Sequence, residues 1–201
     1  MKILIAVPCM DMVSARFAQS LATLQRPCDT AVAFQIGSLV YESRNKLVQQ
    51  AIKFESDFVL WLDSDMVFPP DTLMRLMKHM EDGKDIVSGL YFRRVLPFAP
   101  VLYKDLKRGG GWSPYDDYPR NSVFEIAGCG FGCVLVRSDV FFDTANQEGW
   151  FSPMDHFGED LSFCIRAREA GYKIYCDSTI KCGHMGYAIV DEGAYMATKK
   201  G

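Results

Sequence analysis

Positive charge is not in excess in this chain. Lysine and arginine number 22 against 25 aspartates and glutamates, for a formal net charge of -3. That balance leaves no electrostatic footprint for nucleic acid, so a polyanionic ligand would need a local source of positive charge. Long hydrophobic runs are missing as well. The opening Met1-Lys2-Ile3-Leu4-Ile5-Ala6-Val7 meets Pro8 after a few apolar residues, too short a stretch for a secretory leader or a membrane span. Cysteine is present but odd in number, at 7, which with no leader predicts reduced thiols in a cytoplasmic setting rather than a disulfide framework. No internal repeat or low-complexity segment occurs. What is present is an ordinary globular composition, 49% hydrophobic and 23% charged, which excludes a disordered chain. Residues 1–201 are therefore expected to form a single domain.

Strand and helix signals alternate. Ile3 to Val7 predicts a first strand, and Val13 to Leu24, with Phe17, Leu21 and Leu24 near helical spacing, a first helix ended by Pro27. Ala31 to Ile36 predicts a second strand before the turn signal Gly37-Ser38. A second helix is expected from about Ser43, with Leu47, Val48, Ala51 and Ile52 on one face. Phe58 to Leu62 is a continuous apolar run of strand length. Pro69-Pro70-Asp71 opens a third helix that ends at Gly83, and Ile86 to Phe92 predicts a fourth strand. This order predicts an α/β fold: a mostly parallel central sheet with helices on both faces, and every strand's carboxyl end on one edge. Ligands of such sheets bind along that edge. Further on, residues 107–120 combine three glycines, two prolines and aromatics and read as a mobile loop. Phe124 to Val136 reads as one strand interrupted by Gly128-Cys129-Gly130-Phe131-Gly132. Gly158 to Ala170 predicts a helix closed by Gly171, Tyr172 to Cys176 a last strand, and a tail runs from about 185 to 201.

The chemistry-bearing residues gather at predicted element ends. Asp63-Ser64-Asp65 follows the apolar strand Phe58–Leu62, and two like charges at the ligand edge call for a cation. A divalent ion would relieve the repulsion and accept phosphate oxygens, supplying the positive charge that the chain lacks. The alternative is a plain turn, since Asp and Ser bond their own backbone there. Glu159-Asp160 opens the late helix. The macrodipole alone can explain acids at that place, but a rigid helix end beside a glycine also suits a catalytic base. His184 lies between glycines beyond the last strand; as a metal ligand its imidazole would favour manganese over magnesium. A zinc site from Cys129, Cys133, Cys182 and His184 is the competing reading. In one continuous strand, however, Cys129 and Cys133 would stand about 13 Å apart at about 3.3 Å per residue.

Pro8, Asp63-Ser64-Asp65, Gly128 to Gly132, Glu159-Asp160 and His184 occur in the order seen in glycosyltransferases of the GT-A fold, and the chain most resembles small family-2-like members, over nearly its whole length. The resemblance implies a Rossmann-like GT-A domain that transfers a sugar from a nucleotide-diphosphate sugar, of UDP or GDP type, with Mn²⁺ or Mg²⁺. It implies that Asp65 and His184 hold the metal, with Asp63 in a supporting place facing the ribose or a bound water. Asp63 and Ser64 would also line the donor site. "SRN" at Ser43-Arg44-Asn45 is similar to the family's "ARN", which places Arg44 at the nucleotide. Pro8, Cys9, Asp11 and Gln35 would wall the nucleobase. Gln35 departs from the acidic residue common there, which leaves the base open. Gly128 and Gly130 would let backbone approach donor and acceptor. Asp160 would take the acceptor's proton if the reaction inverts, with Glu159 orienting that site. The acceptor, a glycan, glycolipid, protein or small molecule, is not implied. Trp112 and Tyr115 offer faces for a sugar or merely anchor their loop, and Asp155 and His156 could reach an acceptor.

Two rival functions are weighed against this one. A nucleotidyltransferase acting on sugar phosphates also uses acidic pairs and a metal, but would be expected to carry a glycine-rich basic loop after the first strand, which "CMDMVSAR" does not resemble. A catalytically silent nucleotide- or sugar-binding module would bind without metal-dependent turnover.

Overall fold

The computed structural model of the protein describes residues 1–186 and 189–199. The first half forms β1 (Ile3–Cys9), α1 (Ala15–Thr23), β2 (Thr30–Ile36), α2 (Val40–Phe54), β3 (Phe58–Leu62), β4 (Met66–Val67), α3 (Thr72–Glu81) and β5 (Ile86–Leu90). There follow β6 (Leu102–Leu106), β7 (Trp112–Pro114), β8 (Val123–Ile126), β9 (Gly128–Cys129), β10 (Cys133–Arg137) and α4 (Asp139–Asp143). The chain ends with α5 (Glu159–Glu169), β11 (Ile174–Lys181), β12 (Gly183–Met185), β13 (Ile189–Val190) and α6 (Glu192–Thr198).

Seven strands form the central sheet in the order β2-β1-β3-β10-β5-β11-β8. β1 pairs in parallel with β2 and β3, and β5 with β11; β10 and β8 run antiparallel to their neighbours. Most strands thus share one direction, and the mostly parallel sheet read from the sequence is found. The expectation that every strand ends on one edge is corrected for β10 and β8. Phe124 to Val136 is not one interrupted strand: β8 lies at the sheet's margin, β9 joins a separate sheet with β6 and β7, and β10 returns to the centre. β10 starts at the ligand edge, where the Gly132 carbonyl accepts the Asp63 N–H at 3.1 Å.

Both faces of the sheet are covered, because its central strands are apolar on both sides. Along β3, Val59 and Trp61 enter one core while Phe58, Leu60 and Leu62 enter the other, as the strand's two-residue period requires. α2 and α5 close the first core with Leu47, Val48, Ala51, Phe163 and Ile165; α1 and α3 close the second with Phe17, Leu73, Leu76, Met77 and Met80. Trp61, Phe131, Phe151 and Phe163 form a chain of edge-on and stacked rings with centroids 4.7–6.0 Å apart; such pairs add about 0.5–1.5 kcal/mol each beyond burial.

Three further departures from expectation concern the second helix, the glycine-rich stretch and the last strand. α2 begins at Val40, ahead of Ser43: Gly37 carries no side chain where a Cβ would stand 2.7 Å from the Ser43 hydroxyl, so the turn packs directly on the helix start. The glycine-rich stretch from Lys107 is a hairpin turn as well as a loop. Gly109 and Gly110 take positive φ angles of 84° and 115°, the Lys107 N–H reaches the Gly111 carbonyl at 2.7 Å, and β7 pairs back on β6. The last strand runs on to Lys181, and the chain then pairs β12 antiparallel with β4, setting His184 opposite Met66. No described helix is long and apolar enough to cross a membrane.

Candidate active site

The ends of β1 and β3, the first turns of α2 and α5, and strand β12 converge on one cavity of about 630 Å³. Pro8, Cys9, Arg44, Asp63, Ser64, Asp65, Glu159, Asp160 and His184 line it. Residues from five separate stretches of the sequence therefore share one site. Asp11 and Gln35 do not line it: the Gln35 amide donates to the Ile36 carbonyl and accepts from Gln50. Gly128 and Gly130 lie behind the wall. A Cβ on Gly130 would stand 2.1 Å from the Tyr91 hydroxyl, and one on Gly128 2.8 Å from Leu106. The close approaches seen at these glycines are thus to the protein's own side chains, beside the approach to a ligand that the resemblance implied. Asn45 likewise turns inward and accepts the Phe151 N–H at 2.9 Å.

Arg44 is the buried hub. With 2% of its side chain exposed, it donates to Asp63 Oδ1 at 2.8 Å and stands 3.5 Å from Glu159 Oε1. Its guanidinium carbon lies 5.5–5.7 Å from the ring centres of Trp61, Phe131 and Phe151, within cation–π range. A buried cation survives there because carboxylates face it: burial lowers its pKa, but Asp63, Glu159 and Asp160 raise it further, for a net rise. Nε and Nη1 have no hydrogen-bond partner among the described residues.

The carboxylates are tuned apart. Burial pushes Asp63 upward, and Arg44 only partly offsets this. Burial, reinforced by Glu159's charge, raises Asp160 to about 6. For Asp65 burial also acts upward, but the hydrogen bond and charge of His184 and the charge of Arg94 outweigh it, and its pKa falls below the usual range. Asp160 Oδ1 accepts the Leu161 N–H at 2.7 Å, which fixes the carboxyl and leaves its other oxygen for chemistry.

His184 Nδ1 lies 2.8 Å from the Phe92 carbonyl. A carbonyl only accepts, so Nδ1 carries the proton, and Nε2 is aimed at Asp65 Oδ2, 3.4 Å away. A backbone carbonyl behind a ring nitrogen is the usual support for a metal-binding histidine. Tyr91 packs edge-on against the ring at 5.6 Å and accepts the Gly132 N–H at 3.1 Å. Tyr91, Arg93 and Arg94 also line the cavity and were not singled out in the sequence. Their one signal was a basic pair directly after the strand predicted to end at Phe92.

The zinc alternative fails on topology. Cys129 lies with Cys164 in the core on one side of the sheet, and Cys133 with Cys182 in the core on the other. All 7 cysteines are free, and among the described residues no three His, Cys, Asp or Glu side chains are gathered as a ready metal cage.

This fold and site define a glycosyltransferase of the GT-A class. Residues 40–142 match the model of glycosyl transferase family 2, about half of the chain, and the chain belongs to that family. No curated protein matches its sequence. The crystal structure of A197 from STIV has the same fold, with a TM-score of 0.68 at 19% identity over 92% of this chain and 86% of that one. So does GalNAc-T7 with UDP, GalNAc and Mn²⁺, with a TM-score of 0.66 at 9% identity over 99% of this chain. The chain spans about half of GalNAc-T7, 47% of its length.

Proposed function

We propose that the protein is a metal-dependent glycosyltransferase that moves a sugar from a nucleotide-diphosphate sugar, of UDP or GDP type, to the hydroxyl of an acceptor. One observation carries this reading: Asp65 and His184 meet in a cavity that also holds Asp160, half-buried and with its pKa raised to about 6. The similarity in fold to a structure holding UDP, GalNAc and Mn²⁺ supports it.

The residues present fit a divalent cation. Asp65 Oδ2 and His184 Nε2, 3.4 Å apart, are close enough for both to reach one ion with bonds of about 2.0–2.3 Å. One carboxylate and one imidazole leave other positions for phosphate oxygens, and the mixed donor set suits manganese better than magnesium. When bound, Mn²⁺ or Mg²⁺ would stabilise the charge that grows on the leaving diphosphate.

The chain's own groups do the rest. Arg44 holds Asp63 and Glu159 in fixed positions, so the floor of the donor site is set before substrate arrives. Pro8, Cys9 and Ser64 bound the same cavity toward the nucleoside. In an inverting transfer, Asp160 takes the acceptor's proton. A carboxylate of pKa about 6 is ionised at neutral pH yet more basic than an exposed aspartate, which suits a general base. An adjoining cavity of about 370 Å³, lined by Tyr103, Trp112, His156 and Gly158, shares Arg93 with the donor cavity and is the approach for the acceptor.

The test screens UDP- and GDP-sugars with Mn²⁺, Mg²⁺ or EDTA, reading thermal shift and slow donor hydrolysis. Metal-dependent stabilisation by at least one donor is expected. Asp65→Asn abolishes it, and Asp160→Asn keeps donor binding but removes turnover. Equal loss of binding in both variants sinks the assignment of roles.

A further inference from the structure

Two side chains address the same oxygen. Arg94 Nη1 and His184 Nε2 both contact Asp65 Oδ2, and the Arg94 contact is a tight ion pair. Arg94 comes from the turn between β5 and β6, where the Arg93 N–H reaches the Ala99 carbonyl at 2.8 Å and the Phe98 N–H the Val95 carbonyl at 2.9 Å. The turn is braced, but 54% of the Arg94 side chain is exposed, so the guanidinium is free to leave. It lines the cavity beside Arg93 and Asp65, where a diphosphate has to lie if Asp65 and His184 hold its counterion.

We propose that Arg94 is a competitor for the metal and a ligand for the donor's diphosphate. This rests on the reading of Asp65 as the metal ligand. The Asp65 oxygen that a metal would take is held by Arg94, so a bare metal ion must break an ion pair to bind. A diphosphate arriving with the metal gives the displaced guanidinium a new, doubly charged partner, whose oxygens suit the forked donors of arginine's planar group. By linkage, the diphosphate and the metal then strengthen each other's binding. Arg94 thus makes the site select the metal–diphosphate complex over the free ion.

The two roles predict effects of opposite sign. Mn²⁺ alone is titrated against the protein by the paramagnetic resonance of the free ion; the preformed manganese–pyrophosphate complex is titrated by calorimetry. In Arg94→Gln, Mn²⁺ alone is expected to bind roughly two- to fivefold more tightly, the scale of a half-exposed ion pair. The manganese–pyrophosphate complex is expected to bind about tenfold more weakly, from the loss of charged hydrogen bonds. Arg94→Lys, which keeps the charge without the fork, should fall between on the second measurement. Both affinities moving the same way, or neither moving, overturns the role of Arg94. Asp65→Asn separates this from the reading beneath it. If Asp65→Asn leaves Mn²⁺ binding unchanged, or if the wild type and Arg94→Gln bind manganese in neither form, the metal assignment itself fails and the proposal with it.

Discussion

Replacing Arg44 by methionine keeps most of the side chain's volume against Trp61, Phe131 and Phe151 while deleting the charge between Asp63 and Glu159. Breaking a buried ion pair from one side costs about 3–5 kcal/mol, because the remaining charge stays desolvated. Asp63 keeps 30% of its side chain exposed, so water recovers part of that cost and the lower end, about 3 kcal/mol, applies. Loss of the cation over the three rings adds roughly 0.5–1 kcal/mol. For a protein of this size each kcal/mol is worth about 2–4 °C, so a total of about 3.5–4 kcal/mol should lower the melting temperature by about 7–16 °C. The assay is thermal unfolding of the wild type, Arg44→Met, Asp63→Asn and the double variant. Removing both charges should cost clearly less than the sum of the single changes, since the double variant leaves no stranded carboxylate at position 63. A drop below about 2 °C for Arg44→Met, or strictly additive losses, would refute the hub role.

The reaction should depend on pH through Asp160. As the base it acts only when ionised, so kcat/KM should fall as pH drops through about 6 and level off above; Glu159→Gln, which removes a charge that raises Asp160, should move that limb to lower pH. A rate flat between about pH 5 and pH 8 would exclude Asp160 as the titrating base. Gly130→Ala should destabilise the protein by about 1–3 kcal/mol in a thermal melt, because its Cβ would stand 2.1 Å from the Tyr91 hydroxyl. Adding Tyr91→Phe should recover part of the loss, whereas no recovery would place the strain elsewhere. His184→Ala should weaken Mn²⁺ binding with the metal–pyrophosphate complex as well as with the ion alone, in contrast to the opposed effects expected at Arg94.

Asp63 and Asp65 could be placed from the sequence because their position is local. Phe58–Leu62 is apolar at every residue, only a strand covered on both faces needs that pattern, and the carboxylates that follow must then emerge at the sheet's end. Glu159 and Asp160 could be placed at a helix start for the same kind of reason, since Gly158 and the following helix formers mark it. The hairpin in 107–120 escaped, because glycine signals a turn without saying whether the flanking chain pairs with itself. The fate of the glycine-rich 128–132 stretch escaped too: what a glycine makes room for is set by whatever packs on it, here Tyr91 and Leu106.

The amino-acid sequence by itself determined the layers of this protein, since strand and helix periods and their order are properties of neighbouring residues. It also determined that acids stand at element ends. Only the tertiary structure decided what those acids meet. His184 reaches Asp65 because β12 pairs with β4 across a great distance in sequence, and no local pattern encodes that register. The sequence puts Arg44 near the nucleotide by resemblance alone, and that three aromatic rings from separate segments enclose it is decided by packing. Arg94 meets Asp65 only because the turn after β5 folds over the same edge. Charge is written in single residues, but its pairing depends on distance, and distance is settled by the packing of the whole chain.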